Sequence, residues 1–144
     1  MKNYNFYGYK GELEPISEKY KAITSTTKLY DLLSGIWCER SCAPRLRERW
    51  SEQNKTVGQC SVTAFLTQDI FGGKVYGIPL ESGGVHCYNE INGKVFDLTN
   101  EQFGDTELVY DKTNEQSRNK HFEDKEKFAR YKYLTERLEE ALRS

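Results

Sequence analysis

The stretch VHCYNEINGKVFDLT, residues 85–99, decides the fold because it predicts a β-hairpin with one register. Two runs rich in β-branched and aromatic residues flank Asn92-Gly93, the dipeptide typical of a two-residue type I′ turn. Pairing outward from this turn sets Ile91 opposite Lys94, and paired residues share a face. One face then carries His86, Tyr88, Glu90, Val95, Asp97 and Thr99, and the other carries Cys87, Asn89, Ile91, Phe96 and Leu98.

This register makes His86 and Asp97 diagonal neighbours on one face of the hairpin. Diagonal residues on paired strands lie roughly 7–8 Å apart, within reach of an imidazole and a carboxylate. A slip of one residue would separate the two side chains. Cys87 lies on the opposite, apolar face, which predicts a core thiol and a poor partner for His86.

A second stretch, GQCSVTAFLTQDIFGG at residues 58–73, predicts a helix that begins at Cys60 and ends at Gly72-Gly73. A helix start favours the thiolate, and its free N–H groups can stabilise an oxyanion. With His86 as base and Asp97 as orienting group, the set needed for nucleophilic catalysis is complete. The competing interpretations are a small buried residue for Cys60, a structural histidine for His86 and a turn-capping residue for Asp97.

The rest of the chain predicts an α+β fold in which an antiparallel sheet packs against the Cys60 helix. Helices are expected from residue 26 and over roughly 44–50, and short strands near 4–9, over 74–80 and over 107–111. Residues 111–123 read as a polar loop. An amphipathic C-terminal helix is expected over roughly 123–143, with Phe128, Tyr131, Leu134 and Leu138 on its apolar stripe. We expect a single domain over 1–144, with its core in roughly 26–110.

Composition favours a cytoplasmic protein that binds neither nucleic acid nor membranes. The 144 residues carry a net charge of −1, with both signs interspersed, and no apolar run approaches the length of a membrane span. The four cysteines are therefore expected to be thiols rather than disulfides. Cys38 and Cys42 could complete a zinc site with Cys60 and His86, but a lone CxxxC is a weak signal, and we expect no metal and no cofactor.

Two further features favour exposed surface over a site. Four arginines, at positions 40, 45, 47 and 49, alternate with glutamates at 39, 48 and 52, which indicates a solvated helix face. The alternative is an anion or carboxylate site. His121 lies in the polar region near the C-terminal helix and reads as a solvated residue.

The motifs around the three candidate residues resemble a known family. GQCSVTAFLTQDIFGG, the later H-x-Y-N and DLTNEQFG are similar to the YunG-like family of small bacterial proteins, over roughly residues 30–105. The order Cys, His, Asp also resembles the papain-like fold in its transglutaminase-like form. The resemblance implies Cys60 as nucleophile, His86 as base and Asp97 as orienting residue.

The resemblance also suggests where a side chain would complete the oxyanion hole. The candidates are Gln59 and Asn54, and Tyr88 is a candidate for the pocket wall because it shares the face of His86. We expect a cysteine-dependent hydrolase or acyltransferase that acts on an amide, ester or thioester of a small molecule, peptide or protein. The alternative is a non-catalytic domain that binds a ligand or protein in the same cleft.

Overall fold

The fold is a four-stranded antiparallel sheet with helices packed on it, as a computed structural model describes for residues 4–143. The strands are β1 (Tyr7–Gly8), β2 (Lys74–Pro79), β3 (Val85–Ile91) and β4 (Lys94–Asp97), in the spatial order β1-β4-β3-β2. The helices are α1 (Thr26–Ser34), α2 (Cys60–Phe71), α3 (Arg118–His121) and α4 (Lys125–Arg143). The α+β class and the antiparallel sheet are confirmed.

The β3–β4 hairpin has the predicted register. Ile91 pairs with Lys94 and Glu90 with Val95 across the turn. Asn92 and Gly93 have φ angles of 53° and 82°, the two left-handed residues that a type I′ turn requires. Every side chain of the hairpin therefore lies on the face expected from the sequence.

Helix α2 is the central element of the core. It packs against β3, β2 and α4, and its apolar residues Val62, Leu66 and Ile70 are fully buried. The helix ends at Phe71 because Gly72, at φ 84°, leaves the helical conformation. The main cluster also takes side chains from the N-terminal segment, α1, the hairpin and α4: Phe6, Ile23, Leu29, Leu33, Phe96, Leu98, Leu134 and Leu138.

The C-terminal helix differs from its prediction at one position. Tyr131, Leu134 and Leu138 are buried as expected, but Phe128 remains 41% exposed and Arg130 is 6% exposed. Arg130 is accommodated because its guanidinium pairs with Glu126 and contacts the carbonyl of Ser41. A charged residue thus replaces Phe128 in the buried part of this helix.

The strand predicted over residues 107–111 does not form. This segment is irregular, and the chain reaches the edge of β2 only later, where Gln116 N–H donates to Val75 and Gly77 N–H donates to Asn114. Lys112 and Asn114, which follow this segment, have φ angles of 58° and 60°, so the backbone does not continue there as an extended strand. The loop expected over 111–123 contains the short helix α3.

The remaining segments position the start of α2. Residues 44–49 form a 3-10 helix rather than an α-helix, and residues 100–103 form another directly after β4. Thr99 precedes the second of these segments and makes no side-chain cap to it. No helix within residues 4–143 is long and apolar enough to cross a membrane.

Candidate active site

His86 and Asp97 form a buried ion pair on the face of the hairpin that the register assigns to both. Nε2 of His86 donates to Oδ2 of Asp97 at 2.6 Å, and each side chain is 1% exposed. Burial lowers the pKa of His86, but Asp97 and the neighbouring Cys60 outweigh burial and raise the pKa to about 10. The imidazole is therefore protonated at neutral pH.

Asp97 is held by donors from outside the strands as well as by His86. Its Oδ1 accepts from the N–H of Thr99 at 3.0 Å and from the Thr99 hydroxyl at 3.3 Å. Its Oδ2 also accepts from the hydroxyl of Tyr110 at 2.8 Å. Tyr7, opposite Asp97 in β1, stacks on the ring of Tyr110 at 3.9 Å. These contacts fix the carboxylate and, through it, the orientation of the imidazole.

Cys60 occupies the first position of α2 and is half-buried. The preceding residue, Gln59, makes no side-chain cap, so the first N–H groups of the helix are not satisfied by a capping side chain. Hydrogen bonding from Cys87 and then contact with His86 outweigh burial and hold the pKa of Cys60 well below the ordinary value of 9.0. The geometry thus favours a thiolate paired with an imidazolium.

The second ring nitrogen of His86 is the one available to the thiol. Nε2 is taken by Asp97, while Nδ1 is buried and has no aligned hydrogen-bond partner within residues 4–143. Cys60 interacts with the ring closely enough to raise the pKa of His86. Nδ1 is therefore the ring nitrogen that can exchange a proton with Cys60 while Asp97 holds the ring through Nε2.

Cys87 has a closer relation to the site than its strand position indicates. It is buried with Ala64, Phe65 and Val75, as expected for a core thiol. Its thiol also contacts that of Cys60, which together with burial raises the pKa of Cys87 well above its ordinary value. Cys87 therefore stays protonated and acts as a donor to the Cys60 thiolate.

The site opens into a cleft of about 460 Å³. The cleft is lined by Cys60, His86 and Cys87, and also by Gln102 and Phe103 from the turn after β4. Other lining residues come from the 44–49 segment, the β2–β3 loop, the segment before α3, and α4: Arg45, Leu46, Arg49, Leu80, Ser82, Gly84, Gln116, Lys127 and Arg130. The cleft thus gives a ligand access to the half-buried Cys60.

The three side-chain candidates for the oxyanion hole or pocket wall lie elsewhere. The amide of Gln59 is fully buried and donates to the carbonyl of Cys38. Asn54 lines a separate, smaller pocket beside Tyr30 and Trp37. The hydroxyl of Tyr88 accepts from the N–H of Lys112, and Tyr88 is not among the described residues that line the cleft. The N–H groups at the start of α2, which no side chain caps, remain the candidate donors for an oxyanion.

His121 is a cleft residue rather than the solvated residue expected from the sequence. Its Nε2 is buried without a hydrogen-bond partner in the described chain, and its ring packs on Phe65 with centroids 4.9 Å apart. Burial, reinforced by Lys127, lowers the pKa of His121 to about 4. The polar segment around it has no apolar periodicity that would have indicated this burial. Only the docking of α3, through the Arg118–Asp69 ion pair, brings it inward.

Cys38 and Cys42 do not join the other thiols. Cys42 is buried, and burial raises its pKa to about 11. Cys38 instead contacts the hydroxyl of Tyr133 at 3.6 Å. Within residues 4–143, no group of three or more His, Cys, Asp or Glu side chains is arranged to hold a metal ion.

Comparison with known proteins places this chain beside one family. The family model described as YunG protein matches residues 25–143, which include the whole site. A Bacillus subtilis (strain 168) protein with the description "Uncharacterized protein YunG" is 39% identical over 72 residues. That alignment covers 50% of this chain and 57% of the relative, so the chain spans little more than half of the relative's length. No solved structure matches the chain.

Proposed function

The chain belongs to the YunG protein family, and we propose that it is a cysteine-dependent hydrolase or acyltransferase acting on an amide, ester or thioester. We further propose that its core is papain-like, in the transglutaminase-like form. One observation carries the proposal. His86 is bound to Asp97 through Nε2, while its unpartnered Nδ1 is left for the thiol of Cys60.

In the first half of the reaction, the Cys60 thiolate attacks the carbonyl carbon of the substrate. The oxygen becomes an oxyanion, and the free N–H groups at the start of α2 stabilise it. The imidazolium of His86 then donates its Nδ1 proton to the leaving amine, alcohol or thiol. The carbon–heteroatom bond breaks, and the acyl group remains on Cys60 as a thioester.

In the second half, His86 is neutral and accepts a proton from an incoming nucleophile. Attack on the thioester regenerates the Cys60 thiolate and the His86 imidazolium. Water as the nucleophile gives hydrolysis, and an amine gives acyl transfer. Asp97 is a positioning residue, because it holds the imidazole in one orientation and stabilises its charged form.

The proposal is tested by alkylation of each cysteine with iodoacetamide across pH, measured by peptide mass spectrometry. In the wild type we expect Cys60 to react well below pH 9, and His86→Ala to move that titration upward. His121→Ala is the matched control. It removes the other histidine in the sequence, whose pKa of about 4 leaves its side chain neutral at the pH at which Cys60 is alkylated.

Turnover is tested with p-nitrophenyl acetate, a small neutral ester. We expect an acetyl adduct on the Cys60 peptide, and loss of adduct and hydrolysis in Cys60→Ala. If Cys60 titrates as an ordinary thiol and His86→Ala has no effect, the enzyme proposal is wrong. The alternative, a cleft that binds a ligand without catalysis, would then be the better explanation of the pocket.

A further inference from the structure

The cleft that contains Cys60 is lined by cations without a single carboxylate among its described lining residues. The cations are Arg45, Arg49, Lys127 and Arg130. The whole chain has 22 acidic and 21 basic residues, so its composition alone would place both signs in such a cleft. The local excess of positive charge therefore distinguishes this surface from the rest of the molecule.

Three of these four cations form no ion pair with a residue that the structure describes, although Lys127 lies near enough to Asp124 to lower the pKa of that carboxyl. Arg130 is neutralised by Glu126, with Nε and Oε2 2.5 Å apart. Arg45, Arg49 and Lys127 make no ion pair and no side-chain hydrogen bond with any described residue. The Cys60 thiolate, the His86 imidazolium and the Asp97 carboxylate together carry one negative charge, which is less than the three positive charges of these side chains.

The arginines of the 40–49 segment divide into two groups. Arg47 donates to the carbonyls of Glu39 and Cys42, and Arg40 lies over the ring of Tyr133. Arg47 thus stabilises the segment locally, and Arg40 packs it against α4. Arg45 and Arg49 instead line the cleft, so only half of the arginine cluster is available to a ligand.

The free cations come from two elements that enclose the site. Nη2 of Arg45 lies 3.6 Å from the position that a Cβ on Gly84 would take, so its guanidinium extends to the β2–β3 loop. Lys127, on α4, is half-buried and near enough to Cys87 and His121 to lower the pKa of both. A ligand at Cys60 therefore meets positive charge from more than one direction.

We propose that the Cys60 cleft selects an acyl substrate that carries a negatively charged carboxylate or phosphate group, bound by Arg45, Arg49 and Lys127. The acyl chemistry rests on the proposed function, whereas the anion selectivity rests on the charges alone. Guanidinium groups bind carboxylate and phosphate with paired hydrogen bonds, and an ammonium adds a point charge. The shared ligand chemistry is therefore an anionic oxygen cluster.

The test compares alkylation of Cys60 by iodoacetate and by iodoacetamide. The two reagents form the same bond, from sulfur to carbon with loss of iodide, and differ in one negative charge. Their rate ratio at one pH cancels the thiolate fraction, so a change in the ratio on removing Arg45 or Lys127 does not report how strongly His86 activates Cys60. Failure of the proposed function and failure of the anion site are thus separate results.

We expect the ratio of iodoacetate to iodoacetamide at Cys60 to exceed that of glutathione measured alongside. Arg45→Gln and Lys127→Gln should each lower the ratio roughly 2- to 5-fold, the range for an exposed charge pair, and the double variant should lower it further. Lys132→Gln is the control, since Lys132 is exposed on the same helix and outside the cleft. A ratio equal to that of glutathione and unmoved by the double variant would overturn the proposal.

Competition by simple anions distinguishes a phosphate from a carboxylate as the negatively charged group of the substrate. Inorganic phosphate and acetate are each titrated against iodoacetamide alkylation of Cys60 at constant ionic strength. Protection by phosphate at the lower concentration identifies a phosphate-bearing substrate, and protection by acetate identifies a carboxylate. In both cases the protection should weaken in the Arg45→Gln, Lys127→Gln double variant. Protection by neither anion contradicts the proposal.

Discussion

Replacing Asp97 by asparagine tests the buried ion pair directly. The substitution keeps the shape of the side chain and removes its charge, while His86 stays in a site where each partner is 1% exposed. Burial by itself lowers the pKa of His86, and Asp97 is the first of the groups that raise it to about 10. Without the carboxylate we therefore expect a neutral imidazole at pH 6 to 7.

The size of the expected effect on Cys60 follows from the shift in the pKa of His86. Moving its pKa from 6.5 to about 10 corresponds to about 5 kcal/mol of preference for the imidazolium, shared between Asp97 and Cys60. A neutral His86 no longer stabilises the Cys60 thiolate, although Cys87 still does. Alkylation of Cys60 at pH 6 should therefore fall roughly 10- to 1,000-fold, which is one to three pKa units in the thiol.

The assay is iodoacetamide alkylation at pH 6, followed at the Cys60 peptide. Asp105→Asn is the matched control, because Asp105 is an exposed residue outside the cleft lining. Circular dichroism and thermal melting establish that the variant is folded. The lost charged hydrogen bonds to Thr99 and Tyr110 should cost about 1–3 kcal/mol of unfolding free energy. A folded Asp97→Asn protein with wild-type alkylation at pH 6 would refute the ion-pair argument.

Three further predictions address residues around the site. Cys87→Ala should raise the pH midpoint of Cys60 alkylation, because the Cys87 hydrogen bond is the largest cause of the low pKa of Cys60. Cys87→Ser should preserve the wild-type midpoint. An unchanged midpoint in Cys87→Ala would contradict this prediction. His121 has its pKa lowered from 6.5 to about 4, so it stabilises the fold above pH 6.5 and loses that contribution as the pH falls through 4. His121→Asn should flatten the pH dependence of urea unfolding in that window, and a wild-type profile would count against it. Gly58→Ala should destabilise the chain by at least about 1 kcal/mol in urea melts. The φ angle of Gly58 is 71°, and a Cβ there would lie 2.9 Å from the backbone nitrogen of Ala43, beside Cys42. Wild-type stability would show that the backbone relaxes there.

The hairpin shows how far local sequence rules reach. Asn92-Gly93 determines the turn, the turn determines the register, and the register brings His86 and Asp97 onto one face. The helix from Cys60 to Phe71 follows from apolar spacing and a glycine stop in the same way. Each of these steps depends on residues close in sequence, which is why each could be predicted.

The oxyanion candidates illustrate the opposite case. Gln59 and Asn54 became candidates because of their distance in sequence from Cys60. The conformation of the loop, however, decides where their side chains lie. Gln59 is drawn inward by the carbonyl of Cys38, and Asn54 points into another pocket. Loop geometry of this kind depends on distant hydrogen bonds, and no short-range pattern encodes it.

By itself, then, the sequence determined the α+β class, the antiparallel hairpin, the start of the Cys60 helix and the shared face of His86 and Asp97. Only the tertiary structure decided that Tyr110 completes the support of Asp97 and that Cys87 touches Cys60. It also decided that His121 turns into the cleft and that Arg45 and Lys127 both line it. The physical reason is the range of the interactions. Turn and helix preferences act over a few residues, whereas these contacts join segments that come together only when apolar surfaces are buried.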